Sequence, residues 1–233
     1  MQKALTLYQT TIGKKAVMAL SGLILFGFVI GHLLGNLQVY HGAYTFNSYA
    51  NGLRNLPALL WIARFALIFA VLAHLRSAFE LWSRNKAARP TPYARPPKDL
   101  ATYYAAKTMY WTGPILLLFI AYHLAHLTGG WTGGLYPYDP TNPYNNLVHG
   151  FQHWYISAIY ILGNLALGTH LFHGIWSMFQ SIGANHPRYN HWRRYLAVGA
   201  AILITAGNLS FPIAVMAGFV APTAETFDFP NLR

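Results

Sequence analysis

Five stretches of this chain, Ala16–Val39, Leu56–Ser83, Met109–Thr128, Ile156–Ile182 and Tyr195–Val220, are apolar and long enough to cross a bilayer as helices. Four contain no Asp, Glu, Lys or Arg; the second holds Arg64, Arg76 and Glu80. Within hydrocarbon every backbone N–H and C=O must be bonded inside the protein, which leaves helices and closed barrels. Barrel strands alternate apolar and polar residues over short segments, and these runs do not. The expected fold is an all-α membrane protein, five transmembrane helices in a single membrane domain over residues 1–233.

Charge distribution sets the expected topology. Lys3, Lys14 and Lys15 precede the first stretch, and Arg84, Lys86, Arg89, Arg95, Lys98 and Lys107 lie between the second and third. Arg188, Arg193 and Arg194 lie between the fourth and fifth. The opposite side holds Arg54 and Arg233, and Gly129–Tyr155 has no Lys or Arg. This bias puts the N-terminus in the cytoplasm and the C-terminus outside, in a multi-pass protein of the inner (cytoplasmic) membrane. It also accounts for the net charge of +11 without nucleic acid as a partner. The first apolar run is longer than a signal-peptide core and is expected to be retained. Ala87–Leu100, Pro-rich and basic, reads as an extended cytoplasmic connector suited to anionic lipid or an acidic partner. Gly129–Tyr155 reads as an ordered, turn-rich loop at the outer interface. With no cysteine, the chain supports no disulfide, no iron–sulfur cluster and no covalent haem attachment.

The stretches carry His32, His74, His123, His126, His170 and His173. A histidine within a membrane is costly unless it is used. Here four different helices each supply at least one. By depth, His32 and His123 fall in the outer half, while His74 falls in the inner half with His170 or His173. Two histidine pairs, one above the other, are what two bis-histidine haems require. The levels stand about 15 Å apart along a helix, a short distance for electron transfer. A zinc site needs its ligands to converge on one point. Gly27, Gly31 and Gly35 beside His32, and Gly163, Gly168 and Gly174 beside His170, suit either a porphyrin edge or close helix packing. His126 lies too near the outer boundary to pair with His32 and is expected to hydrogen-bond near a haem edge or in the interface. Arg76 and Glu80 are spaced to pair on one helix face. Arg64 and Arg76 are candidates for haem propionates, with snorkelling the other reading of Arg76.

The chain resembles a known family through an ordered set of motifs. These are Ile12–Leu23 (IGKKAVMALSGL), Gly31–Leu37 (GHLLGNL), Phe46–Ala50 (FNSYA), Ala88–Pro90 (ARP) and His170–Ser181 (HLFHGIWSMFQS). It resembles the single-chain, five-helix, dihaem cytochrome b anchor of succinate dehydrogenase (respiratory complex II of the tricarboxylic acid cycle) and is similar to the fumarate reductase anchor. The resemblance implies two non-covalent b haems, with His32 and His123 on the outer haem and His74 and His170 on the inner one. It selects His170 over His173, leaving His173 as a neighbour of a propionate or quinone. It further implies a flavoprotein subunit that oxidises succinate, an iron–sulfur subunit on the cytoplasmic face, menaquinone or another quinone as acceptor, and a trimer of complexes. Candidate quinone-site residues are Thr11, Lys15, Ser21 and Arg76 near the inner haem, and His41, Tyr44, Asn47 and Asp139 near the outer one. None of the five carboxylates lies at mid-membrane depth. An outer site relying on a helix-borne carboxylate therefore has no evident equivalent here.

Two other readings are a cytochrome b anchor of a hydrogenase or formate dehydrogenase, and a haem-free transporter with histidine relays. Copurifying subunits separate the first from succinate dehydrogenase, and colour separates the second. The topology is open to direct test because the chain has no cysteine. Cysteine placed at Thr132 is expected to react with an impermeant maleimide in intact cells, and cysteine placed at Ala184 only after lysis. The reverse pattern would overturn the orientation.

Overall fold

The structure is a computed structural model describing residues 6–88 and 100–229. It is all-α. The helices are α1 (Thr11–Asn36), α2 (Ala43–Arg54), α3 (Pro57–Ala87), α4 (Leu100–His123), α5 (Pro143–Gln152), α6 (Trp154–Ser181) and α7 (Asn190–Met216). Five of them, α1, α3, α4, α6 and α7, are long and apolar enough to cross a membrane. The motif Ala88–Pro90 and the basic connector, with Lys3, Arg89, Arg95, Lys98, Asp99 and Arg233, lie wholly or largely outside the described residues.

Local chemistry sets the helix ends. The Thr10 hydroxyl accepts from the Gly13 N–H at 3.0 Å and caps α1. Pro57 opens α3 at a position where its missing N–H costs nothing. Asn142 caps α5 by accepting from the Asn145 N–H at 3.1 Å, with Pro143 following. Gly183, at φ 82°, turns the chain out of α6 in a conformation that favours glycine.

Helix α6 is the centre of the bundle. It packs most extensively on α7 and α4, and also on α1 and α5, while α1 packs on α3. Of the five long helices α6 is the most buried and α3 the least. Leu59, Phe65, Ile68, Phe69 and Leu72 of α3 all face outward. Such a surface would be an aggregation hazard in water and is ordinary in lipid.

The glycines divide into two groups. A Cβ on Gly163 would stand 2.5 Å from the Phe119 ring, and one on Gly168 would collide with the Thr205 hydroxyl. Gly35 would strike Tyr49. These three allow close approach of helices. Gly27, Gly31 and Gly174 would meet nothing within 4 Å.

The span boundaries shift by a few residues from those expected. Two segments read as loops are helical. The first connection contains α2, and Gly129–Tyr155 contains α5. Short amphipathic helices carry a weaker sequence signal than a membrane span, and polar residues between them mask it. The α5 region is tied by cross-loop amides. Asn47 Nδ2 donates to Asn142 Oδ1 at 3.0 Å, and the Tyr144 N–H donates to Asn47 Oδ1 at 3.0 Å. The tail closes over it. The Tyr144 hydroxyl donates to the Ala221 carbonyl at 3.1 Å, and Asn145 and Thr223 exchange two hydrogen bonds of 2.8 and 3.0 Å.

Gly163→Ala is expected to destabilise the protein by about 1–3 kcal/mol through overpacking against Phe119. Gly199→Ala, whose Cβ meets nothing within 4 Å, is expected to leave stability unchanged or raise it slightly. Thermal unfolding in detergent checks both.

Candidate functional site

The bundle brings the span histidines together in pairs. The His32 and His123 ring centroids stand 5.8 Å apart with planes at 86°. Those of His74 and His170 stand 6.2 Å apart at 58°. Each pair joins two helices that are far apart in sequence, α1 with α4 and α3 with α6. Two internal rulers give the separation between levels. His74 lies beside Ser21 of α1, and His32 is eleven residues farther along that helix, about 16 Å. His123 lies beside Tyr160 of α6, and His170 is ten residues farther, about 15 Å.

Helix register explains the meeting. Along antiparallel α4 and α6, Thr112 meets His170, Phe119 meets Gly163, and Tyr122 meets Tyr160. In all three contacts the two residue numbers have one constant sum, as antiparallel packing in a single register requires. Along α1 and α3, Lys14 meets Glu80 and Ser21 meets His74.

Each level has its own hydrogen bonding. His74 Nδ1 lies 3.2 Å from the Met18 carbonyl and 3.3 Å from the Ser21 hydroxyl. A carbonyl only accepts, so Nδ1 carries the proton and Nε2 keeps its lone pair for a metal. His170 Nδ1 is 3.3 Å from Thr112 Oγ1, whose hydroxyl also points at Met109 Sδ at 3.9 Å. Nδ1 of His123 and Nδ1 of His173 are buried without a partner among the described residues. His126 differs from all of these. It is 1% exposed, with Nδ1 2.9 Å from the Tyr160 hydroxyl and Nε2 2.6 Å from the Tyr136 hydroxyl. Both of its nitrogens are occupied, so it has no lone pair for a metal.

The residues present fit a planar metal cofactor. A metal ion bound by two imidazoles at about 2 Å on opposite faces holds their ring centroids about 6 Å apart. Both pairs have this spacing. A Cβ on Gly27 or Gly31 of α1, Gly113 of α4 or Gly174 of α6 would meet nothing within 4 Å. Among the described residues no three His, Asp or Glu side chains group as a metal site.

The other candidate residues are placed as follows. Arg64 is exposed and stacks over Trp61 at 4.9 Å. Arg76 Nε donates to Glu80 at 2.9 Å, and its guanidinium lies 5.4 Å from the Tyr8 ring. Glu80 also binds the buried Lys14, a pairing not foreseen from the sequence. Thr11, Lys15, His41 and Tyr44 are exposed, with Tyr44 against Phe227 and Phe229. Ser21 is buried against His74, and Asn47 is fully buried in the cross-loop amides. Asp139 accepts from the Thr141 N–H and hydroxyl in a local turn.

Sequence reasoning missed Thr112, Tyr136, Tyr160, Lys14 and Gly150. A buried tyrosine hydroxyl needs a partner, and that signal marks Tyr160. Gly150 shows only in three dimensions: a Cβ there would stand 2.8 Å from His126 and 3.0 Å from the Tyr136 hydroxyl.

Burial, helped by neighbouring Tyr122 and Tyr138, pushes the Tyr136 hydroxyl up to about 12. A raised folded-state value favours the neutral phenol in the fold. Its contribution is therefore intact below about pH 10 and is lost as pH climbs through the folded value. Tyr136→Phe is expected to cost about 1–3 kcal/mol at neutral pH, because His126 loses a partner. It should also lose less stability than the native chain above pH 10. Melting curves in detergent from neutral to alkaline pH decide; parallel alkaline losses in both proteins would count against Tyr136.

Comparison with protein-family models, with curated proteins and with solved structures finds no match.

Proposed function

We propose that this chain is the membrane-anchor cytochrome b of a succinate dehydrogenase, holding two b haems between its helices. The observation that carries the reading is the stacking of two facing histidine pairs, His32/His123 and His74/His170, at two depths of one apolar bundle. A structural histidine needs one partner, and a relay needs a continuous chain of hydrogen bonds. Neither demands two separate pairs at the spacing of a metal with two axial imidazoles.

When bound, the haems would supply a path for single electrons between an iron–sulfur partner subunit and a quinone, menaquinone in our reading. The chain's own residues bind, orient and insulate. Met18 and Ser21 fix the tautomer of His74. Thr112 holds His170, and Phe119 and Tyr160 wall in His123. The partners in this reading are a flavoprotein subunit carrying the succinate site and an iron–sulfur subunit. Their docking side is the cytoplasmic end that bears Lys86, Arg188 and Arg194. The N-terminus is cytoplasmic in the inner membrane, and the anchors assemble as trimers. Arg76 stands one turn from Glu80 and two residues from His74, near enough to that level to serve a propionate. Ser21 belongs to the His74 site, which leaves Thr11 and Lys15 as the more accessible quinone candidates at that end.

The purified protein is expected to be red, with a low-spin bis-histidine spectrum and two haems per chain. His32→Ala and His170→Ala should each remove mainly one haem, and not the same one. A colourless native preparation would sink the reading, and loss of one common haem in both variants would overturn the pairing. A hydrogenase or formate dehydrogenase subunit copurifying in place of the flavoprotein would reassign the anchor.

A further inference from the structure

The last turn before the 129–142 connection is not α-helical. Over Leu124–Thr128 the helix widens to a π-turn, with the Gly129 N–H donating to the Leu124 carbonyl at 2.8 Å and the Trp131 N–H to the Ala125 carbonyl at 2.9 Å. Such turns redirect side chains and recur at functional sites. Here the turn buries His126 between Tyr160 of α6 and Tyr136 of the loop, each within hydrogen-bond distance. Tyr160 is also a packing hub. Its ring centroid lies 5.8 Å from that of His123, 5.3 Å from Phe119 and 4.8 Å from Phe151.

His123 itself lacks a hydrogen-bonded anchor. Its Nδ1 is buried with no partner among the described residues, whereas His74 has the Met18 carbonyl. Among the described residues, the rings of His32, Phe119 and Tyr160 pack within about 6 Å of its imidazole. Phe119 lies at 35° to that plane and Tyr160 at 68°. Of these two, Tyr160 alone has a hydroxyl that can be pinned, and His126 pins it.

We propose that Tyr160, held by His126 and through it by Tyr136, is a positioning residue that sets the plane of the His123 imidazole across from His32. The proposal rests on the reading of His123 as a haem ligand and adds the device that orients it. The two pairs then differ in a measurable way, since His32 and His123 cross at 86° and His74 and His170 at 58°. Crossed imidazole planes leave two iron d orbitals nearly equal in energy, which raises the largest g value of a ferric low-spin haem. The His32/His123 centre should give the higher of two such signals.

The test uses the protein purified with whatever subunits accompany it, as native, Tyr160→Phe and Tyr136→Phe forms. Low-temperature EPR, haem content and hydrogen–deuterium exchange over residues 119–131 are measured on each. Tyr160→Phe keeps the ring and removes the hydroxyl. It is expected to retain two haems, lower only the higher g value, and raise exchange over 119–131. Tyr136→Phe, remote from the His123 ring, should move the same signal by a smaller amount. If Tyr160→Phe costs a haem, the Tyr136→Phe signal decides. Unchanged signals in a two-haem variant, or equal shifts of both signals, would overturn the proposal. Native protein without haem would overturn the functional reading instead. Exchange then still decides the clamp, and unchanged exchange in both variants would dismiss it.

Discussion

The ring of Phe119 lies in the space that a side chain at position 163 would fill. That contact brings α4 and α6 together and fixes their relative register. Ten residues toward the other end of α4 from Tyr122 is Thr112, and ten residues along α6 from Tyr160 is His170. One close approach thus sets the depth of His123 against that of His170. Inside lipid no hydrophobic force pushes two apolar helices together. Packing of small against large groups supplies the association, and register is its by-product. Gly168 against Thr205 does the same between α6 and α7. The central helix is thus positioned on two sides by glycines that admit a larger neighbour.

Polar groups within this frame are used economically. The Met18 carbonyl accepts a hydrogen bond from His74 Nδ1. Ser21 and Thr112 each bond back along their own helix or to a nearby sulfur while touching a histidine. Glu80, shared by Lys14 and Arg76, gathers charge toward the end of α3. A carboxylate between two cations keeps its charge more cheaply than one left alone in a low-dielectric setting.

Much of this was legible in the sequence, and the reason is the solvent. A bilayer imposes length and composition on each span, so five helices could be counted from apolar runs alone. Alternating direction then converts sequence position into depth. His32 could therefore be matched with His123, and His74 with His170 or His173, before any packing was known. Depth says nothing about rotation around a helix axis. That is why His173 remained level with its neighbour and why Thr112 was not found. The sequence also gave no hint that the ladder changes after His123. A π-turn has no composition of its own, and although His126 still stacks on Tyr122 one turn back, its contact with Tyr136 of the loop shows only in three dimensions. The helices α2 and α5 were hidden for a simpler reason, being short and half polar.

The tail that closes over α5 has a consequence for how the protein is made. Thr223 stands 78 residues beyond Asn145, with which it exchanges two hydrogen bonds. At about 5–20 residues per second, roughly 4–16 s of synthesis separate them. During that interval α6 and α7 must both be threaded into the bilayer. Until then the Asn145 side chain and the Tyr144 hydroxyl lack the partners that the tail supplies. The clasp is therefore a late event, a latch that falls only when the last span is in place.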